Sequence, residues 1–272
     1  MADNIRSFLA PCAGGLVNNQ DYLTQASQMP GSAIRMINYE PAIEGGYRRI
    51  SGYTNTYGTV PGESGTPVLG VSVFSDLNDG IFACRKPISG SNYFHYWDNG
   101  TDAWVTPSTA GSPTMVGVNK VRFEKFNWGT PKLILTDGVN PAASWDGTTY
   151  TQLNSTEAPS APKFCETFSN HLFLAGDPTE PNMLYFSAPL DETDFTPAGG
   201  AGVINVGFEI VTIKSFRDQL YIFGVNNIKR LNGNNIADFV LSDVTKNLGC
   251  VSSDAVVEFN GDILFLGPDG IR

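Results

Sequence analysis

The chain has 272 residues, 41% of them hydrophobic, 11% aromatic and only 16% charged, which suits a weakly charged globular protein with an ample core. Its formal net charge of −10 argues against a surface of clustered Lys and Arg that grips nucleic acid. No run approaches the ~18 apolar residues of a membrane helix. The opening MADNIRSFLAPCAGGLV lacks a basic region ahead of a long apolar core, so no signal peptide is expected and synthesis in a cytoplasm is.

In chain order, the first element is a short helix over Asp21–Met29 (DYLTQASQM), stopped by Pro30. Next comes AIRMINYEPAIEGGYRRISGY, Ala33 to Tyr53, which gathers Arg35, Arg48 and Arg49 within 15 residues. Three arginines suggest a phosphate grip, yet the chain is acidic and no helix follows the Gly45-Gly46 pair to supply an anion-binding N-terminus. The segment therefore reads as a clasp. Pro41 and Gly45-Gly46 turn an extended strand pair, and the arginines contact carboxylates of a neighbouring blade or subunit.

Beyond residue 60 the pattern is strand and turn, and one phrase recurs: an aromatic, a polar turn, then an apolar strand. The copies are FSDLNDGIFAC from Phe74, FNWGTPKLILTDG from Phe126, FSNHLFLAG from Phe168, FRDQLYIFG from Phe216 and FNGDILFLGPDG from Phe259. Most continue into a second apolar segment and another polar turn, with Asp-Gly and Asn-Gly pairs supplying the positive φ of tight hairpins. A period of ~40–50 residues with about four short strands is the pattern of a β-propeller blade. One small sheet cannot bury both faces alone, whereas stacked blades can. The expected fold is all-β: a β-propeller or propeller-like repeat of four-stranded blades, with an extended N-terminal segment. The expected domains are 1–60, the clasp, and 61–272, the repeats, of which the last is incomplete.

The chemistry-bearing residues have structural readings. His95 and His171 stand alone in strand contexts, and Cys12, Cys84, Cys165 and Cys250 form no C-x-x-C pair, so buried free thiols are expected rather than disulfides or zinc ligands. DLNDG at Asp76–Gly80 starts like a calcium loop but lacks its later ligands. SWDGTTY at Ser144–Tyr150 resembles the Asp-box hairpin turn of sialidase-type propellers but is a residue short. Asp76, Asp79, Asp98, Asp102, Asp137, Asp146, Asp191 and Asp194 sit in turns, where turn chemistry explains them. Asn99 and Asn154 match glycosylation acceptors by chance, given no secretory signal. No P-loop, dinucleotide fingerprint, nucleophile elbow or zinc-protease motif is present. A non-enzyme without metal or cofactor is expected.

The phrases Ala33, Arg35, Asn38, Tyr39, Pro41 (A-x-R-x-x-N-Y-x-P) and Gly45, Gly46, Arg48, Gly52 (G-G-x-R-x-x-x-G) resemble the opening of tail nozzle, or tail tubular, proteins of short-tailed (podovirus-type) bacteriophages. Leu220–Arg272 resembles a blade-to-blade segment of the same proteins. The resemblance implies a structural virion protein of the tail. It implies a homo-oligomer, a hexameric ring, that forms a conduit for genome DNA below the portal and adaptor. The implied partners are portal-adaptor proteins and tail fibres or spikes, with transient contact to DNA in the channel. Such proteins are usually much longer. An acidic wall would let DNA slide if its carboxylates face inward. Two other classes fit the composition: a propeller adhesin or tail-fibre-type module binding host surface glycan, and a glycan-cleaving propeller. Arg35, Arg48 and Arg49 are the expected inter-blade or inter-subunit contacts, and Phe74, Phe126, Phe168, Phe216 and Phe259 the turn and blade framework.

Overall fold

The run KLILT, residues 132–136, is apolar at successive positions, so a strand made from it presents apolar side chains to both faces of its sheet. The computed structural model describes residues 14–28, 31–42, 46–52, 54, 56–88, 93–107 and 119–272. In it, Leu133 and Leu135 enter one buried core and Ile134 the next. HLFLA repeats the arrangement: Leu172 and Leu174 share a core with Ile134, while Phe173 and Ala175 enter a third. Such a sheet needs a neighbour on each side.

The chain divides into two compact units, Met1–Thr56 and Tyr57–Arg272. Residues 57–272 are all-β and form five antiparallel meanders in chain order. The first sheet holds β3 (Val68–Val73), β4 (Ile81–Arg85), β5 (Phe94–Asp98) and β6 (Ala103–Val105). The second holds β7 (Arg122–Asn127), β8 (Pro131–Thr136), β9 (Ala143–Trp145) and β10 (Tyr150–Gln152). The third holds β11 (Phe164–Phe168), β12 (His171–Asp177), β13 (Glu180–Phe186) and β14 (Gly202–Asn205). The fourth holds β15 (Thr212–Phe216), β16 (Gln219–Phe223), β17 (Ile228–Asn232) and β18 (Val240–Thr245). The fifth has three strands, β19 (Val256–Phe259), β20 (Asp262–Gly267) and β21 (Gly270–Ile271).

Four apolar cores lie between consecutive sheets. Phe82, Phe94, Leu135 and Trp145 fill the first gap, and Phe126, Ile134, Leu172 and Tyr185 the second. Phe173, Phe186, Ile213 and Leu220 fill the third, and Phe223, Cys250 and Phe265 the fourth. The first strands β3, β7, β11, β15 and β19 all contribute to the wall of one cavity. Face-to-face meanders whose first strands gather on a common cavity are a propeller-type arrangement, and the repeated blades expected from the sequence are present.

The recurring phenylalanine stands at or next to the end of the first strand of each sheet, ahead of the turn. Phe168, Phe216 and Phe259 pair with His171, Gln219 and Asp262 across two-residue turns. In those turns Ser169-Asn170, Arg217-Asp218 and Asn260-Gly261 all have positive φ, as a type I′ hairpin demands. Burial of the five differs. Phe126 and Phe168 are buried and Phe74 packs partly against the first core, but Phe259 is 65% exposed and belongs to none of the four cores.

In residues 1–56, Asp21 caps helix α1 (Tyr22–Gln28), its Oδ1 accepting the N–H groups of Leu23 and Thr24 at 2.9 and 3.2 Å. The buried Gln25 donates through Nε2 to Val17 O and Ser32 Oγ, tying the helix to the flanking chain. Strands β1 (Tyr39–Pro41) and β2 (Tyr47–Arg49) form an antiparallel hairpin with Glu40 opposite Arg48. Cys12 and Gly45 lie outside the described residues. Cys84, Cys165 and Cys250 are buried free thiols.

Close backbone approach makes one glycine indispensable. A Cβ at Gly249 would fall 2.0 Å from Gly224 O, which also accepts the Cys250 N–H at 2.9 Å. Backbone cannot yield there as a side-chain tip can. Gly249→Ala is expected to destabilise residues 57–272 by about 3 kcal/mol or more, read as a lower urea midpoint; an unchanged midpoint would refute that packing.

Candidate functional site

The innermost strand of each sheet has a partner on one side only, so alternate N–H groups on its other edge need acceptors. At the position two residues before the recurring phenylalanine stand Ser72, Glu124, Glu166, Lys214 and Val257. Glu124 Oε1 accepts the Thr167 N–H at 3.0 Å and the Thr167 hydroxyl at 2.5 Å. One sheet on, Glu166 Oε1 accepts the Ser215 N–H at 2.9 Å and Lys214 Nζ at 2.6 Å. Thr167 and Ser215 occupy the same repeat position, so the same bond from a carboxylate to the next sheet's edge is made twice. Lys125 Nζ completes the series in the opposite direction, donating to Val73 O at 2.6 Å.

Of these groups, Val73, Lys125 and Glu166 line the shared cavity of ≈ 540 Å³. Arg122 Nη2 donates to Ser253 Oγ at 3.1 Å and Asp254 Oδ1 at 2.9 Å, with its guanidinium over the Phe164 ring. Lys120 Nζ lies 3.1 Å from Asp254 Oδ2, so two cations of the second sheet hold the turn that leads into the fifth. A further clasp joins the second and third sheets away from the cavity. There the buried Glu192 takes Lys132 Nζ at 2.5 Å and the Ser144 hydroxyl at 3.1 Å.

Burial, followed by the Glu166 charge, pushes the Glu124 carboxyl up to about 7, against the opposing Thr167 hydrogen bonds. Burial also raises Glu166, and Lys214 opposes that rise. Lys214 itself is drawn down by burial, but the Glu166 charge and hydrogen bond, with Glu124 and Glu258, outweigh it and raise it. The cluster therefore keeps a proton near neutrality.

The arginines expected as contacts are differently placed. Arg48 Nε meets Glu40 Oε1 at 2.7 Å on the facing strand of its own hairpin. Arg35 lines a groove of ≈ 540 Å³ with Ala33, Met36, Ile37, Tyr39 and Tyr47. Arg49 is exposed on β2, and among the described residues neither it nor Arg35 has an ion-pair partner. Groove and hairpin are braced by the Tyr47 hydroxyl, 3.0 and 2.7 Å from the carbonyls of Gly15 and Gly31.

The other motifs are structural in their contacts. Asn78 of DLNDG accepts the Trp145 indole N–H at 2.9 Å and donates to Gly147 O at 3.0 Å, linking turns of the first two sheets. Asp146 of SWDGTTY accepts the N–H groups of Thr148 and Thr149. Asp137, Asp191 and Asp194 cap turns in the same way. His95 Nδ1 lies 2.9 Å from Thr106 Oγ1, and burial lowers its pKa to about 4. His171 Nδ1 donates to Ser187 O at 2.6 Å, with the ring edge-on to Phe186 and Phe239. Among the described residues no group of three His, Cys, Asp or Glu is placed to hold a metal ion. Glu124, Glu166 and Lys214 escaped the sequence reading, although aligning the repeats on phenylalanine brings EKF, ETF and KSF into one column.

No family model matches the sequence, and no curated protein matches it. A solved structure similar to the chain is that of the BBS1 N-terminal region in complex with ARL6. The identity is 11% and the TM-score 0.44, over 83% of this chain and 66% of that one, just under two thirds of its length.

The cluster sets a sign for pH dependence. Glu124 binds its proton more tightly folded than unfolded, so stability falls as pH rises from about 4.5 to about 7. The Lys214 contribution persists through that window and is lost only above its ordinary value of 10.5. His95, lowered to about 4, contributes the opposite slope below pH 6.5, so the Glu124 component is read by difference: between pH 5.5 and pH 8 the wild type is expected to lose more melting temperature than Glu124→Gln. Melting curves of the two proteins across that range check it; parallel curves would refute it.

Proposed function

We propose that the protein is a structural virion subunit of a phage tail nozzle, a ring-forming conduit through which genome DNA leaves. The carrying observation is the N-terminal unit, in which the A-x-R-x-x-N-Y-x-P and G-G-x-R phrases build a hairpin made for contact. Seven of its large apolar side chains are exposed: Leu16, Tyr22, Leu23, Ile34, Ile37, Tyr39 and Ile50. Arg35 and Arg49 stand among them without ion-pair partners in the described residues. Apolar side chains and cations together on so short a segment suit an assembly surface.

Charge distribution supports the same reading. Residues 1–56 hold four Arg against four Asp or Glu, so the net charge of −10 falls on residues 57–272. An acidic wall repels phosphate and lets DNA slide. Closed rings use heterologous contacts between unlike surfaces, and one chain that carries both a neutral hairpin and an acidic propeller supplies two unlike surfaces.

Electron microscopy of the purified chain is expected to show hollow six-fold rings, with native mass spectrometry giving six subunits. Isolated discs or trimers that bind a glycan array would overturn the nozzle in favour of an adhesin.

A further inference from the structure

Nine non-glycine residues among those described have positive φ, and Leu190 is the aliphatic one, at φ 62°. The others are Asn, Asp, Ser or Arg in turns, where short or flexible polar side chains tolerate that conformation. A leucine there is strained, and strain of this kind persists where the surrounding structure imposes it. Leu190 N donates to Asn170 O at 2.8 Å, and an isolated bridge pairs Ala188 with Asp191, so the corner is held. The imposed conformation leaves the leucine 58% exposed. Beside it, Asp191 engages Thr193 through Oδ1, and Thr193 holds its carboxyl below the usual range, so it stays charged.

The N-terminal unit carries a matching surface. Its groove is apolar but for Arg35, is roomy enough for a corner of chain, and lies on a segment that also exposes Arg49. We infer that this groove receives the Leu190-Asp191 corner of a second copy of the chain. The leucine enters between Ile37, Tyr39 and Tyr47, and Asp191 Oδ2 accepts from Arg35. Charge complementarity selects the partner: Arg35 and Arg49, without ion-pair partners among the described residues, meet a propeller that carries the net charge of −10. Groove and corner are different surfaces, so the contact can repeat head to tail from copy to copy, as a ring or filament requires. The inference rests on the reading that the chain assembles with itself, and it names the surfaces that do so.

A photoreactive amino acid at Ile37 of the full chain tests it, with isotopically light and heavy chains mixed before irradiation. Light-to-heavy cross-links from residue 37 to Pro189–Asp194 are expected. Arg35→Glu should cut their yield about tenfold, as loss of a close interfacial charge pair does. Leu190→Gly should cut it similarly while keeping or raising the melting temperature, because glycine takes positive φ without strain. Cross-links confined to one chain, to other parts of the second copy or to added DNA would overturn the inference, as would their absence. Six-fold rings without the 37-to-190 link would leave the nozzle reading standing and remove this contact. The link in an assembly that is not a ring would do the reverse.

Discussion

Everything in residues 57–272 follows from strands that are apolar on both faces. A sheet with one apolar face can rest on a single neighbour and leave its other side in water. The second strands here cannot, because KLILT and HLFLA alternate their side chains between two different cores. Each sheet must be sandwiched, and the inexpensive way to sandwich short meanders in series is to fan them face to face. Ile134, Leu172 and Leu174, with no exposure at all, mark how completely that demand is met between the second and third sheets.

Fanning the sheets creates a second demand. The first strands converge, each with one edge unpaired inside the molecule, and water access narrows. An edge N–H left without an acceptor would cost about 1–3 kcal/mol. Glu124 and Glu166 supply those acceptors from the neighbouring sheet, so one residue type both satisfies the edge and fixes the stagger between blades. Two carboxylates in this enclosure repel each other, and Lys214 and a retained proton relieve them. The packing of apolar faces thus generates the polar cluster, and through it the sensitivity to pH.

The fold was largely legible in the sequence and the cluster was not. Repeat length, the two-residue Asn- and Asp-containing turns and the unbroken apolar runs are local features. They act through φ preferences and side-chain alternation that any reader of the chain can apply. The role of the recurring phenylalanine was half legible: its period and its place ahead of a turn mark the blades, but its packing is not local. Its burial also varies from nearly complete at Phe168 to slight at Phe259, because the neighbouring sheet decides it. The arginine-rich hairpin was legible as a strand pair. That Arg48 rather than Arg49 meets Glu40 depends on strand register, which a one-residue slip would change.

By itself, then, the sequence determined an all-β chain of repeating four-stranded units with a distinct, arginine-bearing N-terminal segment. Strand period, turn chemistry and repeat spacing are properties of neighbours along the chain. Only the tertiary structure decided which carboxylates clasp adjacent blades, which arginine of the hairpin is paired, and that Leu190 is exposed on a strained corner. The clasps depend on residues some 40–50 positions apart meeting across sheets, and nothing in local sequence encodes the side from which the next blade arrives.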